Sequence, residues 1–369
     1  MATLANLCIG NSSTRVNRGG TTEGTLGFGY QALQSTNVGN ARNMAFGTAL
    51  IASNLSHCYN TAIGHLAGCG NTSGQQNTSV GHYAGRAITT PYQNNAFGFK
   101  ALCAQTTGCR QIAIGACSMY CGNGNSSIGI GFRAITAGAT NSVAIGAYAQ
   151  AQSARGVAIG FDAIAGGDNS VTIGAGSCTA AANSVAIGCG AQTTGCCSIA
   201  IGHAAITLYN NQISIGANFT NAYGANIITM GNTYNNYACV FVGWTSCSDR
   251  NEKTNIQSLP YNFGLPFIKK LRPVKFNWDI REKYVKECGF EFGQKDGTLA
   301  GEKEQYGLIA QELEQALQEL NLRFDGLTKN DKRYHLANTN LLAPLVKSIQ
   351  QLSVKLDTIK ERLTTLENN

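Results

Sequence analysis

Between residues 25 and 217 the hydrophobic positions of this chain fall into a short pattern that ends in glycine: LGFG, MAFG, TAIG, TSVG, NAFG, IAIG, IGIG, VAIG, VAIG, VTIG, VAIG, IAIG and ISIG. The closing glycines stand at 29, 47, 64, 81, 98, 115, 131, 146, 160, 174, 188, 202 and 216, so the step falls from 18 through 17, 16 and 15 to a constant 14. A period this regular predicts a stacked array in which each repeat buries its apolar face on the next. Within NSVAIG the alternation is strand-like, with Val143 and Ile145 on one face and Ala144 on the other. The glycine permits a tight turn at positive φ, and the Asn before many of the triplets, as in NSVAIG, suits a turn entry. Small-residue stretches such as AYAQAQSARG and GSCTAAA suit a second thin strand. The predicted fold is mainly β, a narrow β-solenoid or β-roll. Its interior is so small that burying Val and Ile calls for association of several chains.

Beyond Asn218 the repeat dissolves, and Tyr234, Tyr237, Phe241 and Trp244 cluster in residues 218–247. Aromatics among Asn residues suit sugar stacking, but a plug closing the open end of the solenoid explains them better. From residue 248 the pattern changes to α+β. An extended PVKFNWD is followed by a polar loop and then by the helix GLIAQELEQALQEL, with Pro273 ending the element before it. The last segment places Leu342, Leu345, Ile349, Leu352, Leu356, Ile359, Leu363 and Leu366 at unbroken steps of three and four. That is a coiled-coil seam over about residues 340–367, and its a and d residues permit a trimer.

Composition breaks at the same place. Residues 1–247 hold 11 charged side chains and residues 248–369 hold 36, so the two parts are different physical objects. The net charge of +7 has no Lys/Arg run behind it, which argues against nucleic acid as a partner. No apolar run approaches membrane-spanning length, and the first residues lack the charged and apolar regions of an export signal, so a soluble chain without membrane insertion is expected. Of the 14 Cys, 13 precede residue 248, at spacings such as Cys103 to Cys109 and Cys117 to Cys121 that build no zinc set. They read as small, reduced packing residues.

Several signals in the array carry less than they first suggest. GIGFRA from Gly129 mimics a dinucleotide fingerprint but falls in phase with the repeat. His65 and His82 share a repeat position, as His203 does further on; stacked rungs bring the first two together either as metal ligands or as a polar ladder, and the ladder is expected. Glu23, Asp162 and Asp168 are the array's whole supply of carboxylates, too few for ordinary glycan cleavage. Arg42, Arg86, Arg110, Arg133 and Arg155 are candidate readers of acidic surface sugars if they line one face of an oligomer. No cofactor and no metal are expected.

NSVAIGAYAQAQSARGVAIG resembles the left-handed β-roll head repeats of trimeric autotransporter adhesins. The 17-residue form, as in NTAIGHLAGCGNTSGQQNTSVG, is similar to repeats of phage and large-virus fibres. Autotransporters end in a barrel anchor, and no segment after residue 247 alternates as barrel strands do, which favours the viral reading.

SDRNEKTNI, LRPVKFNWD, YGLIAQELE and LLAPLVKSIQQL, in that order over residues 248–369, resemble the C-terminal intramolecular chaperone auto-processing domain of phage tailspikes, endosialidases and other viral fibres. The resemblance implies a trimeric chaperone that brings three chains into register and then cuts itself off before the Ser of a Ser-Asp-x-Arg-x-Lys motif. Here that bond joins Cys247 to Ser248. Carried over, Ser248 is the nucleophile and Lys253 the general base, with Asp249, Arg250 and Asn255 in support. Asn251 and Glu252 depart from the family, which often has an apolar residue before the Lys. A Lys base must be neutral, which takes burial or a neighbouring cation such as Arg250. Side chains five residues apart diverge by about 140° on a helix and lie on opposite faces of a strand, so Ser248 and Lys253 meet only through a turn or across subunits. Taken alone, SDRNE also reads as a helix start, with Asp249 and Glu252 at capping-box spacing.

The expectation is a homotrimeric viral fibre or tailspike precursor. It comprises an N-terminal segment (1–24) as a candidate virion attachment, a left-handed β-roll array (25–217), an aromatic end plug or tip (218–247), and a self-cleaving Ser-Lys peptidase chaperone (248–369). Its partners are its own copies, virion attachment proteins and a candidate host surface glycan or receptor; it assembles in the host cytoplasm and resides in the virion. The competing expectation is a trimeric surface adhesin whose C-terminal domain only clamps and never cuts.

Overall fold

In the computed structural model each apolar triplet before a repeat glycine is a three-residue strand, and successive triplets pair in parallel at the period of the sequence. Val143, Val157, Val171 and Val185 lie in register, as do Thr61, Thr78 and Asn95 in the longer repeats. The structure describes residues 7–10, 26–33, 42–48, 59–104, 106–120, 124–217, 224–231, 247–279, 295–329 and 334–368. Among these the triplets form one 15-stranded parallel sheet. A second parallel sheet of two-residue strands, from Gln150–Ala151 to Ile206–Thr207, runs through the 14-residue coils. The chain divides into two compact units, Met1–Ala238 and Cys239–Asn369. The first is the predicted solenoid; the second mixes short strands and helices and ends in a long helix.

The sheet extends one strand past the expected array at each end. Leu7–Ile9 pairs with Leu26–Phe28, and Ile228–Met230 pairs with Ile213–Ile215, so the repeat does not dissolve at Asn218. The aromatic group at 234, 237, 241 and 244 lies outside the described residues.

In the shorter coils the face that points inward is the small one, whereas Leu33, Ile88, Leu102 and Met119 help fill the wider ones. Ala144, Ala158, Ala186 and Ala200, at the strand centres, are fully buried, and Thr179, Thr193 and Thr207 of the second sheet fill the same interior. The flanking Val157 and Ile159 stay half-buried on the outside of the coil. A coil packed on Ala, Ser and Thr leaves its largest apolar side chains for another surface to cover. The glycine column is equally constrained: Gly160 has φ +137°, and a Cβ there would stand 2.6 Å from the carbonyl oxygen of Gly174. A side chain there is excluded by both backbone conformation and rung spacing.

The longer coils are held from inside by a ladder of amides. Asn60, Asn77 and Asn94 are buried just ahead of their strands. Each accepts the backbone N–H of the equivalent residue one coil on, at 2.9–3.0 Å, and donates across the coil to Gly74, Pro91 and Gly108 carbonyls respectively. These asparagines are interior struts, whereas the turn-entry role falls to residues such as Asn141 and Asn183, at φ 58° and 57°. In the 14-residue coils Ser170, Ser184 and Ser198 occupy the ladder position, because the narrower coil needs only a short hydroxyl. Asn77→Ala strands the Asn94 N–H and the Pro91 carbonyl in the interior, at about 1–3 kcal/mol each. The expected result is a lower urea midpoint for solenoid unfolding; an unchanged midpoint would show that the ladder is dispensable.

In the second unit, α1 (Leu265–Ile268), α2 (Ala310–Glu319) and α3 (Leu342–Glu367) surround a core of Phe263, Phe267, Leu313, Ala316, Leu317 and Leu341. Gln351 of α3 accepts the Leu265 N–H at 2.6 Å and donates to the Tyr261 carbonyl at 2.8 Å, satisfying an orphan donor at the start of α1. Strand Val274–Asn277 follows Pro273 as predicted and pairs antiparallel with Glu304–Gly307. Ion pairs Lys270–Glu319 and Arg272–Glu312 tie the segment after α1 to α2. The Arg272 guanidinium, hydrogen-bonded to Glu312, holds that carboxyl below the usual glutamate range.

Candidate functional site

Residues 248–253 begin with an extended residue and close into a single turn of 3-10 helix, Arg250–Glu252. Asp249 starts the turn: its Oδ1 accepts the Asn251 N–H at 2.8 Å. The Lys253 N–H then donates to the Arg250 carbonyl at 3.1 Å. The helix-start reading of SDRNE is therefore right about Asp249 as a cap, although the acceptor serves Asn251 and the helix stops after one turn.

That brevity brings the candidate pair together. Lys253 Nζ donates to Ser248 Oγ at 2.6 Å and to the Ser248 carbonyl at 3.1 Å. Of the two routes open to residues five apart, a turn and a neighbouring subunit, the single chain uses the turn. Asn255 lies two residues further on at φ 53°, a left-handed conformation that Asn tolerates better than most residues and that redirects the chain after Lys253. Cys247, on the acyl side of the candidate bond, is exposed and free. Residues 247–258 are all exposed.

Arg250 makes no side-chain hydrogen bond or ion pair among the described residues. Counted from Ser248, the motif's Arg position is held by Asn251, and Arg250 occupies the variable place. The geometry joins Ser248, Lys253 and Asp249 in one turn and sets Asn255 at its exit.

The array's candidates sort differently. His65 and His82 stack with ring centroids 5.0 Å apart, and Phe99 continues the column at 5.5 Å. They form a ring ladder, and no group of three metal-capable side chains occurs among the described residues. His203 stands in a later coil. GIGFRA runs from strand Ile128–Ile130 into a turn. Arg42, Arg110 and Arg155 share a position two residues before their strands, whereas Arg133 follows its strand and Arg86 sits on a later turn. Arg42 bonds the Tyr59 hydroxyl, Arg86 and Arg133 cover the rings of Tyr83 and Phe132, and Arg155 bonds Asn169. The five do not fall on one line of the coil. Burial pushes the Cys69, Cys103 and Cys178 thiols up, which favours inert packing residues over reactive ones.

Along α3 the eight seam residues, Leu342 to Leu366, are 42–73% exposed in the single chain. An apolar stripe at coiled-coil spacing, bare over a whole helix, is a surface made for other copies.

No curated protein matches the chain. Residues 248–322 match the family described as Chaperone of endosialidase, Peptidase_S74, and the match begins at Ser248. That family implies trimer formation and, in general, self-cleaving peptidase activity. The bare seam and the composition break at residue 248 agree with a C-terminal trimerisation and chaperone role. Residues 248–322 are thus a chaperone-of-endosialidase domain, and behind a β-solenoid body they fit a tail-fibre or endosialidase-type protein with a C-terminal chaperone.

Proposed function

We propose that the chain is the precursor of a homotrimeric viral fibre or tailspike whose C-terminal domain aligns three chains and then releases itself by cutting between Cys247 and Ser248. The observation that carries this reading is the 2.6 Å contact between Lys253 Nζ and Ser248 Oγ at the first residue of the domain. Ser248 Oγ attacks the Cys247 carbonyl carbon while Lys253 takes the hydroxyl proton. The C–N bond breaks, the proton passes to the Ser248 nitrogen, and the acyl group rests on Oγ as an ester. Water then adds to the ester, leaving a carboxylate on Cys247 and restoring the hydroxyl, so one difficult step becomes two easier ones. Asp249 positions the pair by capping the turn, and Asn255 by turning the chain away.

Proton abstraction by an amine is favoured by exclusion of water, and the single chain leaves the pair open. Neighbouring chains supply that cover when the α3 seams meet, so cutting follows assembly. The mature β-roll then serves in the virion as a shaft or in attachment to a host surface glycan or receptor, with residues 1–24 toward the virion. Assembly takes place in the host cytoplasm.

The order of events tests this. Samples taken through synthesis and separated by native sedimentation should contain full-length trimer before any fragment. Fragments from a monomeric chain, ahead of any trimer, would sink the coupling of cutting to assembly.

A further inference from the structure

The 17-residue coils spend three residues more per turn than the 14-residue coils, and most of the surplus goes into the loops at 71–76 and 88–93. Insertions in a repeat array gather on one face, and that face is often the binding face. Here they enclose a polar cleft of about 280 Å³ between two adjacent coils, lined by Ser73, Gln75 and Gln76 of one and Thr90 and Tyr92 of the next.

The cleft has a fixed frame. The N–H groups of Thr72, Ser73 and Gly74 all point at the Thr89 carbonyl, at 2.9–3.1 Å, and the Gln93 N–H donates to the Gln75 carbonyl at 3.0 Å. Gly74 also donates to Asn71 Oδ1 at 2.7 Å within the loop, and its carbonyl accepts from Asn60 Nδ2 at 2.9 Å, which pins the loop to the buried ladder. The side chains are not engaged: among the described residues none of the five lining side chains makes a hydrogen bond. Two carboxamides, two hydroxyls and a phenol therefore stand on a rigid backbone with their donors and acceptors open, and Tyr92 is 45% exposed.

The geometry points to this cleft as a binding site for a neutral hexose unit of a surface glycan. A sugar ring asks for paired donors and acceptors, which Gln and Ser/Thr supply in both senses, and for a flat apolar face, which Tyr92 supplies. None of the lining residues is charged, so the cleft offers nothing to a carboxylated or sulfated sugar, a phosphate or a nucleic acid. Its volume lies just below the range for drug-sized ligand clefts, which suits a single ring. The 14-residue coils, without the surplus residues, have no equivalent loops. This inference rests on the attachment half of the proposed function and names its ligand class.

The test is saturation-transfer NMR on the full chain with a panel of neutral oligosaccharides and their sialylated and sulfated counterparts. Neutral members should give transfer, reduced at least fivefold by Tyr92→Ala and weakened by Gln76→Ala, with both variants still trimeric by sedimentation. Both side chains are exposed, so neither change threatens the fold. Transfer to acidic sugars alone, or no transfer to any neutral one, would overturn the assignment. Neutral binding that survives Tyr92→Ala would overturn the cleft while leaving glycan attachment standing elsewhere on the fibre.

Discussion

Ser248→Ala is expected to leave the chain at its full 369 residues under conditions in which the parent divides in two. The substitution removes the atom on which the ester forms, and losing a covalent nucleophile costs roughly 10³-fold or more in rate. Lys253→Ala should slow cutting by about 10²–10⁴-fold, the usual worth of a positioned proton acceptor. The informative partner is Lys253→Arg. Arginine can still donate to Ser248 Oγ, but it keeps its proton throughout the accessible pH range. If Lys253 only orients the hydroxyl, the Arg variant cuts; if it takes the proton, the Arg variant stays whole. Mass spectrometry of denatured samples, taken at intervals after synthesis, reads all three.

The second large effect concerns assembly. Ile349→Asp combined with Leu356→Asp places two carboxylates on the seam, one heptad apart at the a position that Leu342 and Leu363 share. In a trimer each becomes a layer of three charges that cannot be hydrated, at a cost of several kcal/mol per layer. Both residues are more than half exposed in the single chain, so the core around Phe267 and Leu313 is untouched. The expected outcome is a monomer by sedimentation equilibrium, with the circular dichroism of short helices retained and no cleavage products. A trimer that persists would move the assembly determinant from α3 to the outer face of the solenoid.

The solenoid was legible because its rule is one-dimensional. The glycine step sets the strand register, and a rung too close for a Cβ, as at Gly160, can be seen from the sequence alone. The end strands Leu7–Ile9 and Ile228–Met230 escaped because the first stands 19 residues from its neighbour, beyond any step of the series, and the second breaks the run of 14 with a step of 15, although CIG and ITMG carry the motif. The amide ladder escaped for a different reason. Asn before a strand is ordinarily a turn former, and only the width of the 17-residue coil sends Asn60, Asn77 and Asn94 inward. In the second unit the Gln351 clamp joins residues 86 and 90 positions apart, a separation that no local pattern reveals.

At the site, only the resemblance of SDRNEKTNI to a known family singles out Ser248 and Lys253 as candidates. The physical constraint on five-residue spacing allowed a turn without choosing one. What chose it was a turn that Asp249 starts, its short carboxylate reaching the Asn251 N–H, and that stops where Lys253 returns to extended backbone at φ −122° and ψ 140°. Arg250 adjoins the Asp, where the motif puts a variable residue. The cleft around Tyr92 gave no signal, since Gln, Ser and Thr in a repeat loop read as solvated surface until two coils are stacked.

Whether the bond between Cys247 and Ser248 is cut can be read from the intact mass of the freshly expressed chain. Two fragments are expected, one ending at Cys247 and one beginning at Ser248, with N-terminal sequencing of the smaller reading Ser-Asp-Arg-Asn-Glu-Lys. A chain that forms trimers and keeps its full mass would contradict it, and would make the C-terminal domain a clamp that never cuts.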